Sequence, residues 1–243
     1  MKDFLQDLVA HTHTLGVLPN IRINAAGERA IIDAVSDDRH VVLMATTHSK
    51  IPGLTGVFGM NNLHKIDLHL KCPEYKENSK INLILENTGN EEKPTGIHFE
   101  NENGDYQNDF RFMNKSLLDL TMKNFEFECS NWDVEFQPSQ QGIQRFKFQV
   151  AAHTEETLFH VTTVDNNLVF SFGDVNTHAG SFVFHSGISG KIKKNWLWPK
   201  STVLSVLNLD GDKTIKITDQ GALQITVDSG ITEYNYIFKA HVK

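Results

Sequence analysis

WLWPKSTVLSVLNLDG, residues 196–211, reads as a short amphipathic helix closed by a glycine. Three strand-like runs follow, KTIKITDQ (213–220), ALQITVDS (222–229) and ITEYNYIFKAH (231–241), joined by tight turns. The same order occurs earlier in the chain. GMNNLHKIDLHLK (59–71) has helical spacing, with Leu63, Ile66 and Leu70 on one face. KINLILE (80–86), GIHFE (96–100) and DFRFM (109–113) come after it as strands. One helix and one antiparallel sheet, used twice, predict an α+β chain of two repeated domains, each with antiparallel sheets and two helices. The expected division is a first domain over residues 1–113, a connector over 114–131 and a second domain over 132–243. Each half is then close to the commonest domain size.

The remaining elements fit this order. Residues 2–14 have helical spacing through Phe4, Leu5, Leu8 and Val9. Strands are expected over 20–24, 29–35 and 40–46, and a polar loop over 87–95. In the second half a helix over 139–153 opens at Ser139, after Pro138. LFHVTTV (158–164) and LVFSF (168–172) form a hairpin over Asp165, Asn166 and Asn167, and SFVFHS (181–186) is a further strand. The connector is unusual in carrying Leu117, Leu118, Leu120 and Met122. These side chains either pack onto a neighbouring sheet or rim a docking groove.

Catalytic signatures are missing. There is no Gly-rich phosphate loop, nucleophile elbow or Cys-x-x-Cys pair. His11 and His13 form a His-x-His pair, but no strand leads into it, so two polar groups at a helix end are expected there rather than a metal site. NLDGD (208–212) has its glycine too early for a calcium loop. Cys72 and Cys129 are the only cysteines and read as free thiols. No metal or other cofactor is expected, and the chain is not expected to be an enzyme. Residues 1–10 hold no secretory leader, and no run approaches the roughly 18 apolar residues of a membrane span. A soluble, cytoplasmic protein with no membrane partner is the expectation.

Charge is distributed unevenly. The chain carries a net −7. Windows 1–16, 61–71, 139–154 and 190–200, which hold the helices, sum to +6, leaving −13 for the rest. Lys65, Lys71, Arg145, Lys147, Lys193, Lys194 and Lys200 supply the local excess. Polar residues accompany them: Gln140 and Gln144 on one helix, Ser201, Ser205 and Asn208 on another, His64 on a third. Such faces suit loose, salt-sensitive contact with a polyanion. No module for reading bases accompanies them.

Four stretches resemble a known family. WPKSTVLSVLNLDGDKTIKITDQGALQITVDSGITEYNYIF (198–238) is similar to the last helix and hairpins of DNA sliding clamps. LVFSFGDVNTHAGSFVF (168–184) resembles the strands before it, DDRHVVL (37–43) the strand lining the partner pocket, and FGMNNLHKIDLHL (58–70) the second helix of the first domain. The resemblance is to the proliferating-cell nuclear antigen type and to the clamps of tailed phages, the short ending favouring the phage type. It implies a non-enzymatic processivity factor: a homotrimeric ring around duplex DNA that tethers the replicative DNA polymerase and is placed by a clamp loader, acting in the host cytoplasm if viral. It implies DNA-facing cations at the seven positions above. It implies a partner groove bounded by His40, Val41, Leu117, Leu118, Leu120, Ala240 and His241. Ring closure would pair the edges at 107–113 and 181–186, bringing in Phe110, Phe112, Phe182 and Phe184. A strand-rich virion or binding protein without a DNA-tethering role is the competing reading. A metal hydrolase using His11 and His13 is a third, and it lacks a ligand set.

Overall fold

The computed structural model describes residues 1–76, 78–88, 91–122, 129, 131–174, 176 and 178–241. The chain divides into two compact units: Met1–Glu126 with Ser229–Tyr234, and Phe127–Asp228 with Asn235–Lys243.

The first unit begins with helix α1 (Lys2–Thr12), which tightens into a 3-10 turn over His13–Leu15. Strands β1 (Ile21–Asn24), β2 (Ile31–Val35), β3 (Val41–Thr47) and β4 (Val57–Met60) follow. Their spatial order is β4-β1-β2-β3, all antiparallel. Helix α2 (Leu63–Lys71) packs against α1 and leads into β5 (Lys80–Thr88), β6 (Glu91–Glu100) and β7 (Gln107–Arg111), an antiparallel sheet in that order. Alternation places Ile21, Ile23, Ile32, Ala34, Val41, Leu43 and Ala45 in the core, as a half-buried antiparallel sheet requires. Phe4, Leu5, Leu8 and Val9 of α1 and Leu63, Ile66 and Leu70 of α2 are buried.

The second unit repeats the plan with β8 (Val134–Phe136), α4 (Gln140–Ala152), β9 (Leu158–Val164), β10 (Asn167–Gly173), β11 (Ala179–Ser186), β12 (Trp196–Pro199), α5 (Lys200–Leu207), β13 (Asp212–Thr218), β14 (Ala222–Asp228) and β15 (Thr232–Lys239). One sheet runs β11-β10-β9-β12, and β15-β14-β13-β8 are neighbours in another. The Ser139 hydroxyl caps α4 by accepting from the Gly142 N–H (3.0 Å). Asp165 and Asn166 both adopt positive φ, the backbone twist that a two-residue hairpin loop between β9 and β10 requires. The α+β expectation and both helix pairs hold.

Three element assignments are corrected. Residues 58–60 are strand, not helix: β4 pairs with β1, and α2 starts only after Asn62 turns left-handed at φ 52°. Residues 196–199 are also strand. A residue before proline is driven out of helical φ/ψ, so Trp198 stays extended, pairs with Phe159 and is fully buried, and α5 begins after Pro199. The expected loop over 87–95 is a continuation of the β5–β6 hairpin, with residues 89 and 90 outside the described set. Pro94 fits there beside the register shift at Ile84/Leu85.

The first unit is tied together around Asp7. Its carboxylate accepts from the Tyr234 hydroxyl (2.8 Å) and lies 3.1 Å from His11 Nδ1. The His11 ring stacks on Tyr234 at 4.4 Å. His11 is therefore a buried packing group, and the described residues hold no cluster of three or more metal-ligating side chains. Burial alone would raise the Asp7 pKa; hydrogen bonds from His11 and Tyr234 outweigh it and hold the group below its ordinary 3.8. A depressed carboxylate pKa gives stability that is present above the ordinary carboxylate range and is lost as pH falls through the folded value. Tyr234→Phe should therefore cost about 1–2 kcal/mol near pH 5 and clearly less near pH 3, read by urea denaturation. Equal losses at both pH values would show that Asp7 does not depend on Tyr234.

Candidate nucleic-acid interface

Each unit presents helix faces to solvent. On α2, Leu63, Ile66 and Leu70 are buried, which turns His64, Lys65, Leu68 and Lys71 outward. Lys71 is paired with Asp67 on its own helix at 2.6 Å, an exposed pair worth little to stability. On α4, Gly142, Ile143 and Phe146 are buried, and Gln140, Gln141, Gln144, Arg145, Lys147 and Phe148 are exposed. Phe146 sets this orientation by packing on Phe159 (4.8 Å between ring centroids), Phe170, Phe172 and Phe184. Gly142 allows close approach: a Cβ there would lie 2.7 Å from the Phe184 carbonyl oxygen. On α5, Ser201 and Asn208 are exposed and Ser205 is half-buried.

The seven expected DNA-facing cations separate into three kinds. Lys65, Lys71, Arg145 and Lys147 are exposed on helices. Lys193 and Lys194 are exposed on the loop before β12. That loop is anchored because both their backbone N–H groups donate to Asp219 Oδ1 (3.0 and 2.9 Å), while Lys194 Nζ sits 5.3 Å from the Trp196 ring centroid. Lys200 is a correction. It is 5% exposed, and its ammonium donates to the carbonyls of Val150 (3.2 Å) and His153. It holds the last turn of α4, where carbonyls lack helical partners, and is not available to a ligand.

The groove residues divide similarly. Residues 115–121 form a helix, α3 (Lys115–Thr121), capped by the Asn114 side chain. Residues 123–128 and 130 of the expected connector lie outside the described residues. Leu117 and Leu120 are exposed at 43% and 68%, but Leu118 and Met122 are buried. Leu118 lies over Gly59 of β4, where an added Cβ would come within 2.5 Å of it. It lines a cavity of about 690 Å³ with Val57, Phe58, Pro94, Phe112 and Met113. His40 and Val41 do not line that cavity; Val41 is buried in β3. Ala240 is buried, and His241 lines a separate cavity of about 340 Å³ with Leu158, His160 and Leu197. Leu118 is thus a packing residue of the first unit, the first of the two alternatives open in the sequence.

Three sheet edges remain unpaired among the described residues, and three others are managed. Met113 bonds to Gly59 on β4, β8 has three residues, and β12 is bridged by His241. β5, β7 and β11 have a neighbour on one side only, and β11 carries an extra residue, Phe184, opposite β10. Bonds from Phe112 to Thr95 (2.9 Å) and from Asn101 to Tyr106 (3.0 Å) fix the β7 ladder. By alternation, Asn108 and Phe110 direct their backbone groups to β6, and Gln107, Asp109 and Arg111 direct theirs outward. The phenylalanine side chains named for this edge do other work. Phe110 and Phe184 are buried in their own units, Phe112 stacks on Phe58 at 4.1 Å, and Phe182 lies edge-on to Phe170. What the edges offer a partner is backbone. Beside this edge, Asp109 accepts from His98 (2.7 Å), which raises the His98 pKa.

Phe148 and Leu68, exposed at 71% and 64%, are missing from the sequence-derived set. Spacing holds the signal for Phe148. Phe146 and Phe148 are two apart, about 200° on a helix, so only one can enter the core.

No protein-family model matches the chain, and no curated protein matches its sequence. Its fold matches solved sliding clamps. The proliferating-cell nuclear antigen (PCNA) of Thermococcus kodakaraensis aligns with a TM-score of 0.66 at 11% identity, over 99% of this chain and 97% of that one. A. fulgidus PCNA, solved with the C-terminal region of FEN-1 bound, aligns with a TM-score of 0.68 at 11% identity, over 100% and 95%. The chain therefore has the PCNA clamp fold.

These placements predict distinct mutant behaviour. Leu118→Ser should destabilise the protein by about 2–5 kcal/mol, as for loss of a buried leucine, while Leu117→Ser and Leu120→Ser stay within about 0.5 kcal/mol. Urea denaturation measures all three, and a fully stable Leu118→Ser would place Leu118 outside the core. Lys200→Met should cost about 1–3 kcal/mol by removing the ammonium from the Val150 carbonyl and from the His153 carbonyl, which keeps the Glu156 N–H at 3.3 Å, with duplex affinity unchanged. A drop in duplex affinity at unchanged stability would return Lys200 to the interface.

Proposed function

We propose that this protein is a sliding clamp: a homotrimeric ring that encircles duplex DNA and tethers the replicative polymerase. The observation that carries the reading is an unpaired edge strand in each unit, β7 in one and β11 in the other, on a chain with the PCNA clamp fold. Head-to-tail pairing of β7 with β11 of the next copy is a heterologous contact, and such a contact gives a ring when the rotation from copy to copy closes. Three chains of two units would give six units around the hole, with the domain division expected from the sequence. Helices α1, α2, α4 and α5 then face the duplex.

The electrostatics support topological rather than tight binding. Of the seven cations expected to face DNA, four stand exposed on helices, Lys65, Lys71, Arg145 and Lys147, and the chain as a whole is at −7. Few phosphate contacts mean weak, salt-sensitive affinity. Polymerase and clamp loader are the proposed partners, by analogy with the clamp family, and no catalysis or cofactor is proposed. The tailed-phage type, and with it action in a host cytoplasm, is proposed from the leucine-rich residues 117–120. α3, with Leu117 and Leu120 exposed, is the proposed docking element for partner peptides.

Retention on circular DNA tests the reading. The protein, chemically cross-linked in the presence of nicked plasmid, should stay bound through about 1 M salt, where phosphate contacts are screened. Cutting the plasmid once should release it. Release that ignores linearisation, or nanomolar sequence-dependent binding to a short linear duplex, contradicts the proposal.

A further inference from the structure

We propose that Phe148 is an apolar contact point for the sugar–phosphate backbone of duplex nucleic acid. It would grip the deoxyribose while Arg145 and Lys147 hold phosphates on either side. This rests on the DNA-encircling reading above and adds a salt-insensitive component to it.

Phe148 is the most exposed of the large apolar side chains described, at 71%. Among the described residues no ring contact engages its side chain. The core is served by Phe146, whose ring lies within 6.3 Å of four other phenylalanine rings, centroid to centroid. A single exposed apolar residue is ordinary; its surroundings are not. α4, QQGIQRFKFQVAA, contains no acidic residue. Residues 141, 144, 145, 148 and 152 lie on one face at helical spacing. Two glutamines and an arginine stand before the ring on that face, with Lys147 beside it. Arg145 makes one contact of 3.5 Å with the Val183 carbonyl, and neither Arg145 nor Lys147 has a carboxylate partner among the described residues. Unpaired cations and amide donors around an apolar ring complement an anionic polymer whose sugars expose C–H surface. In the first unit, α2 exposes Leu68 at 64% between Lys65 and Lys71, but there Lys71 is paired with Asp67.

The two kinds of contact respond differently to salt. Phosphate contacts release counterions, so each one adds to the salt slope of affinity. A ring against sugar releases none. Binding of the intact protein to a linear duplex is measured by fluorescence anisotropy across a salt series. Arg145→Ala or Lys147→Ala should each flatten the slope by about one. Phe148→Ala should weaken binding about threefold to tenfold at every salt concentration with the slope unchanged, and Phe148→Leu should restore most of it. Because Phe148 is exposed, its variants should melt like the wild type, and a lowered melting temperature for Phe148→Ala would overturn the proposal by showing a packing role.

If Phe148→Ala binds like the wild type while the two cation variants lose slope, the apolar contact is refuted and the DNA reading survives. If no variant alters duplex binding and the wild type is not retained on closed circles, both fail together. Polyglutamate serves as the competing probe. If Phe148→Ala weakens polyglutamate binding and leaves duplex binding alone, the face belongs to an acidic protein and the proposal is wrong.

Discussion

A sheet edge is a row of backbone donors and acceptors with nothing to bond, and each unit of this chain leaves such a row open. β7 directs the N–H and C=O groups of Gln107, Asp109 and Arg111 outward, on the alternation fixed by its bonds to β6. β11 has β10 on one side only. The edges β4, β8 and β12 are blunted by a covering segment, by brevity and by a bridge. Long edges left bare invite uncontrolled pairing. An edge at the end of each unit is better explained as half of a specific joint. The proposed ring follows from that constraint, because one edge per unit, used head to tail, consumes both.

The second determinant is helix orientation. α4 is turned by its phenylalanine cluster and by Gly142, which lets the helix approach the Phe184 carbonyl. Lys200 then fastens the far end of α4 by donating to the Val150 and His153 carbonyls. With the buried face fixed, the outward face is what remains: glutamines, Arg145, Lys147 and Phe148. The proposed binding chemistry is thus a consequence of core packing, and of the seven cations expected to face a ligand, four stand exposed on helices.

Much of the fold was legible because period and punctuation agree. Ser139 after Pro138 marks the start of α4, and Asp165-Asn166 marks the β9–β10 hairpin. The misreadings came where tertiary pairing outweighs local pattern. WLWP resembles a helix by its apolar spacing, yet pairing with β9 and the full burial of Trp198 make it a strand. FGM continues the α2 pattern, yet β1 takes it. The site was harder to read. Charge counting treats every lysine as solvent-facing, so Lys200 joined the cations although its stem is buried and its ammonium serves backbone carbonyls. The leucines of residues 117–120 gave no sign of which one packs, because a single helical turn places Leu118 inward and Leu117 and Leu120 outward. Phe148 lies two residues from Phe146 on one helix, and spacing alone does not say which of the two rings enters the core.

The most direct test is the mass of the protein in solution, by multi-angle light scattering over a range of concentrations. The account predicts a species of about 82 kDa, three times the 27.5 kDa chain, that dissociates toward monomer on dilution if the joint is weak. A protein that remains at 27.5 kDa up to high micromolar concentration would contradict it.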